Sequence, residues 1–121
     1  MPHIIVEYSA NLAEVAAIPE LLSAVHQTAA ASGLFEVGAI RTRAAAHELF
    51  MIGDGNPTNG FIVITVRMKA GRALAVQEKF AAALMDTASR YLATAFDERF
   101  VTLNVEIHEI PSINLRRRSG D

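Results

Sequence analysis

The chain opens Met1-Pro2-His3-Ile4-Ile5-Val6-Glu7-Tyr8. Methionine ahead of a residue as small as proline is commonly trimmed. Trimming would leave Pro2 with a free secondary amine at the very start of a strand-like apolar run. An amine held rigidly and partly out of water has its pKa lowered, because burial disfavours the charged form. A base poised near the working pH is what proton-transfer catalysis requires. The same residue also has a purely structural reading, since the first position of a strand needs no ladder donor and tolerates proline.

Other chemistries find less support. There is no cysteine, which excludes disulfides, thiolate nucleophiles and thiolate metal ligands and fits a cytoplasmic protein. His3, His26, His47 and His108 have no ligand spacing, so no metal site is expected. The Gly53-Asp54-Gly55 turn is not followed by a lysine and hydroxyl pair and is not a phosphate loop. Glu7 and Glu106 lie on apolar strands and suit paired, structural roles. A net charge of −2 gives no reason to expect nucleic acid. The run Arg116-Arg117-Arg118 reads as a solvated tail.

The elements that position Pro2 follow from the pattern. With 121 residues and 51% hydrophobic content, the chain is expected to form a single domain over 1–121 with its own core. No apolar run is long enough to cross a bilayer, and no signal peptide is visible. His3 to Tyr8 reads as a strand, and Asn11 to Ala17 as a helical turn. Pro19 suits the first turn of a helix carrying Leu21, Leu22, Val25, Ala29 and Ala30, with Gly33 as its stop. Ala39 to Ala44 is extended, Leu49 to Ile52 is a short apolar run, and Asp54 to Gly60 is the densest turn cluster. Phe61 to Met68 is the strongest strand. After Gly71, Phe80, Ala81, Leu84, Met85, Ala88, Tyr91, Leu92, Ala95 and Phe96 form one broad helical stripe. Val101 to His108 alternates as a half-exposed strand that Pro111 ends, and Ile113 to Leu115 could add a short edge strand. The expected architecture is α+β: a β-α-β-β-α-β two-layer sandwich, four strands with two helices on one face. Apolar residues on both faces of the strands suggest that the second face is covered in an oligomer.

Read together, Pro2-His3-Ile4-Ile5-Val6-Glu7, Ile40-Arg41-Thr42-Arg43, the Asp54-Gly55 turn, Gly71-Arg72, Glu106-Ile107 and Asn114-Leu115 resemble the 5-carboxymethyl-2-hydroxymuconate isomerase family of the tautomerase superfamily. The resemblance runs along nearly the whole chain in one order. It implies the same fold, a homotrimer whose sheets line a central barrel, and sites near subunit boundaries. It also implies an amino-terminal proline acting as base on an unsaturated 2-hydroxy dicarboxylate-type acid from aromatic breakdown. The proton moves from the dienol oxygen to a distant carbon, with no cofactor or metal.

On that resemblance, Arg41 is the first candidate to orient a carboxylate or stabilise a dienolate oxygen, because arginine grips carboxylate with two donors. Arg72 is the second, at the amino end of the long helix where an anion is favoured. Arg43 is the third, sharing a sheet face with Arg41. His3 points away from Pro2 in a regular strand and could line the rim or meet a neighbouring subunit. Nearby positive charge would further lower the pKa of Pro2. Two other readings stand beside this one: a different activity of the same superfamily on another enol acid, and a non-catalytic trimeric domain that binds small acids.

Overall fold

The computed structural model describes all residues from Met1 to Asp121. Strand β1 (His3–Ser9) leads through a 3-10 turn (Ala10–Glu14) into helix α1 (Ile18–Ala31) and strand β2 (Arg41–His47). Strand β3 (Gly60–Lys69) is followed by helices α2 (Leu74–Tyr91) and α3 (Ala93–Glu98) and strand β4 (Val101–Ile110). The sheet order is β2-β1-β3-β4, with β1 parallel to β2, antiparallel to β3, and β3 parallel to β4. The result is the α+β sandwich expected from the pattern.

Alternation within the strands divides the sheet into two faces. Ile4 and Val6 on β1 and Ile62, Ile64, Val66 and Met68 on β3 are fully buried. They share one core with Leu21 and Val25 of α1 and Phe80, Leu84 and Ala88 of α2. The other face carries rows fixed by the register. Arg41, His3, Arg67 and His108 form one row, and Arg43, Ile5, Thr65 and Glu106 the next. Ile5, Val63 and Phe61 are its large apolar members, and each is partly exposed. Glu7 meets His47 at 2.9 Å and Glu106 meets His108 at 2.8 Å, so both strand carboxylates are in pairs.

Two local readings need correction. The long helical stripe is two helices, because the backbone at Leu92 leaves helical geometry (φ −105°, ψ 6°). Its amide is shared between the carbonyls of Ala88 and Ser89. Leu92 and Ala95 stay in the core, while Tyr91 and Phe96 are exposed, so the buried stripe is narrower than expected. The segment from Ile113 to Leu115 forms no strand. Pro111 removes a ladder donor as the chain leaves β4. The apolar run from Leu49 to Ile52 is loop, with Leu49 and Met51 almost wholly in solvent.

The turn before β3 is locked by side chains. The Asp54 carboxylate accepts from the Asn56 backbone and the Asn59 amide, and Asn11 donates to the Pro57 and Asn59 carbonyls. Gly60 lies directly over Leu12; a Cβ there would come within 2.7 Å of the leucine side chain.

Candidate active site

The topology brings four chain segments to one end of the sheet. β1 and β2 begin there, whereas β3 and β4 end there. Met1 and Pro2 therefore meet the starts and ends of three other strands. The Arg41 backbone N–H donates to the Pro2 carbonyl at 3.0 Å, which fixes the proline by its own backbone. Pro2 falls on the helix-facing side with Ile4, and its side chain is fully buried. His3 falls on the opposite side, as strand alternation requires.

Two hollows open around this end. The larger, about 650 Å³, is lined by Met1, Phe35, Lys69, Arg72, Asn114 and Arg116, among others. The smaller, about 230 Å³, is lined by Met1, His3, Arg41, Asn114 and Arg116, together with neighbouring tail residues. Arg72 and Arg41 thus stand in different hollows, with Met1 common to both. Arg43 lines neither.

Arg72 is held on three sides. Its guanidinium donates to the Leu34 carbonyl at 3.0 Å and the Lys69 carbonyl at 3.4 Å, and lies 5.0 Å from the centre of the Phe35 ring. That ring in turn packs edge-on against Phe80 of the core. The Arg72 carbonyl accepts from the Gln77 amide in the first turn of α2. Arg41 is more exposed and donates to the Gly38 carbonyl at 3.1 Å. Arg43 donates to His3 Nδ1 at 3.0 Å. A guanidinium can only donate, so His3 accepts on Nδ1 and is neutral. Desolvation lowers its pKa, and Arg43, Arg67, the chain amine and Arg41 lower it further.

The electrostatics at the amino end have one sign. Desolvation lowers the pKa of the Met1 amine, and Arg41, Arg116 and Lys69 add to that effect against the weaker opposing pull of Glu36. None of Arg41, Lys69, Arg72 and Arg116 belongs to any of the four ion pairs in the chain. An anion entering either hollow meets cations whose charge is not already neutralised. No three His, Cys, Asp or Glu side chains converge as a metal-ligand group.

Of the residues singled out in the sequence, Pro2, Arg41, Arg72 and His3 gather at this end of the sheet. Arg43 acts at one remove, on His3. Phe35, Lys69 and Arg116 were not expected there. Phe35 reaches the site from the segment after α1, far from Arg72 in sequence. Arg116 belongs to the basic run read as a solvated tail; that reading holds for its exposure but misses that it lines both hollows.

The chain matches the model of the family described as 5-carboxymethyl-2-hydroxymuconate isomerase over residues 2–119. It is 31% identical over 120 residues to the 5-carboxymethyl-2-hydroxymuconate Delta-isomerase of Escherichia coli, covering 98% of this chain and 95% of that one. A 5-carboxymethyl-2-hydroxymuconate isomerase from Deinococcus radiodurans R1 superposes with a TM-score of 0.89 at 30% identity, over 97% of this chain and 88% of that one. A fused 4-OT asymmetric trimer shares the fold at a TM-score of 0.69 and 18% identity, over 98% of this chain and 94% of that one. A fold of this topology, with Arg41 bonded to the opening proline and these relatives along its whole length, places the chain in the 5-carboxymethyl-2-hydroxymuconate isomerase family, a family of isomerases.

Proposed function

We propose that the chain, once Met1 is removed, isomerises a 2-hydroxymuconate-type dienol acid to its 2-oxo form with the Pro2 nitrogen as the base. The observation that carries this reading is the position of the amino terminus where both hollows meet, among four cations without ion-pair partners. The Pro2 nitrogen takes the proton from the 2-hydroxyl group, and the oxygen's electron pair forms the C=O bond. The carbon–carbon double bonds shift along the chain, and the same proton is returned to the distant carbon. Arg41 holds the carboxylate next to the reacting oxygen and steadies negative charge as it develops there. Arg72 faces the substrate from the larger hollow, fixed by Leu34, Lys69 and Phe35.

Two features support a free and basic Pro2. The desolvation and the three cations that lower the pKa of the Met1 amine would act in the same direction on a proline nitrogen one residue further in. Removal of Met1 would also take away a residue that lines both hollows, beside Asn114 and Arg116, and expose the Pro2 nitrogen there. The reading extends to a homotrimer, supported by the fused 4-OT trimers that share the fold and by Ile5, Val63 and Phe61 on the sheet face that no helix covers.

Intact mass spectrometry shows whether Met1 is absent, and the ultraviolet absorbance of 2-hydroxymuconate follows ketonisation. Pro2→Ala, trimmed to a free alanine, is expected to lose about 10²-fold or more in rate, the scale of a positioned base. Arg41→Ala is expected to lose kcat/KM through weaker hold on the carboxylate. Full activity in both variants would refute the mechanism.

A further inference from the structure

Arg72 follows a backbone hinge. Gly71 has φ +107°, in the left-handed region that favours glycine, and its freedom passes directly to the residue after it. The hinge is held from β4. The Glu109 carboxylate accepts the Gly71 N–H at 3.1 Å, and the Arg72 carbonyl accepts from the Gln77 amide at 2.9 Å. Parallel pairing sets Glu109 opposite Met68, near the end of β3. Alternation gives Glu109 the helix-facing side of β4 that Val105 and Ile107 share, where the chain turns into α2. The bond to Gly71 is the one hydrogen bond its side chain makes, and it belongs to no ion pair. Glu109 lines neither hollow.

An acid beside a cationic hollow opposes an incoming anion if charge is all it contributes. The bond to Gly71 gives Glu109 the opposite effect. On the reading that Arg72 faces the substrate, we propose that Glu109 is a positioning residue, which fixes the Gly71 amide and so sets the direction of the Arg72 guanidinium. The Leu34 carbonyl pins one nitrogen at the far end of that side chain, while the contact to Lys69 is long at 3.4 Å. One pinned end leaves the planar fork free to swing; pinning the backbone end as well leaves its remaining donors one direction. The role needs an acceptor oxygen at the Gly71 amide, and the negative charge is incidental to it.

The test reads binding of hexa-2,4-dienedioate, which matches 2-hydroxymuconate without the enol hydroxyl and cannot be ketonised. Calorimetry on the trimmed full-length protein compares Glu109→Ala, Glu109→Gln, Arg72→Met and the Glu109→Ala, Arg72→Met pair. Glu109→Ala should weaken binding about three- to tenfold, the worth of one hydrogen bond. Glu109→Gln drops the charge but keeps an acceptor, and should recover the native affinity or exceed it. In the Arg72→Met background Glu109→Ala should add no further loss, because its effect passes through Arg72. General damage to the fold would instead lower affinity in both backgrounds. Tighter binding in Glu109→Ala, an equal loss in Glu109→Gln, or a loss that persists without Arg72 would overturn the assignment. Native affinity in Arg72→Met would overturn it too, and would remove Arg72 from the site. The expected pattern without any dienol turnover would uphold Glu109 as a positioning residue and refute the isomerase mechanism proposed above. Turnover with an affinity indifferent to Glu109 would do the reverse.

Discussion

Arg72 offers a quantitative check on how the site is built, because its three anchors can be separated. Replacing it with Met keeps an apolar stem and removes the guanidinium. The Leu34 carbonyl then loses its donor at 3.0 Å, a net cost of about 1 kcal/mol. The Phe35 ring loses a cation 5.0 Å from its centre, about 0.5–1 kcal/mol at a partly exposed position. The 3.4 Å contact to the Lys69 carbonyl is long and contributes little. Together these amount to about 1.5–2 kcal/mol, and a chain of this length loses roughly 4 °C of melting temperature per kcal/mol. Arg72→Met should therefore melt roughly 6–8 °C lower. Phe35→Leu also loses the edge contact with Phe80, but that loss cancels in the double-mutant cycle. The cycle, measured by urea denaturation, should return a coupling of about 0.5–1 kcal/mol between Arg72 and Phe35. A coupling indistinguishable from zero would refute the idea that the ring holds the guanidinium in place.

Two further outcomes follow from the fold. His3 has its pKa lowered in the folded chain, so the unfolded chain takes up the proton more readily; stability should fall as pH drops below about 6.5 and level off below the folded pKa. Melting curves from pH 8 to pH 5 should show this slope reduced in His3→Gln, and an unchanged slope would refute it. Gly60→Ala should cost about 1–3 kcal/mol by forcing Leu12 out of its position, read as a lower urea midpoint with unchanged m-value.

Much of the architecture was readable because burial imposes simple periods. β3 alternates Ile62, Ile64 and Val66 against Phe61, Val63 and Thr65, and its extent came out close to the observed Gly60–Lys69. Pro19 and Gly33 bracket α1 for reasons of backbone geometry alone. The break at Leu92 was not readable, since no Gly or Pro marks it and Leu92 and Ala95 remain in the core on either side. At the site, Pro2 was legible from its place in the chain, and Arg41 and Arg72 only through a family resemblance. Phe35 and Lys69 carry no local signal; they reach Arg72 because α1 ends and β3 ends beside the same corner. Arg116 was visible as charge but not as a wall of the cavity, because its direction is set by a strip that pairs with nothing.

The bond from the Arg41 amide to the Pro2 carbonyl grips the chain at an atom that aminopeptidase cleavage leaves untouched. Copies with and without the initiator residue should consequently share one shape and one melting curve, and differ only in what their first nitrogen can do. On the proposed chemistry, the maturation state of a preparation is invisible to every measure of folding. Specific activity should then scale linearly with the trimmed fraction, and a purified sample that looks uniform by spectroscopy can still be a mixture of working and silent molecules.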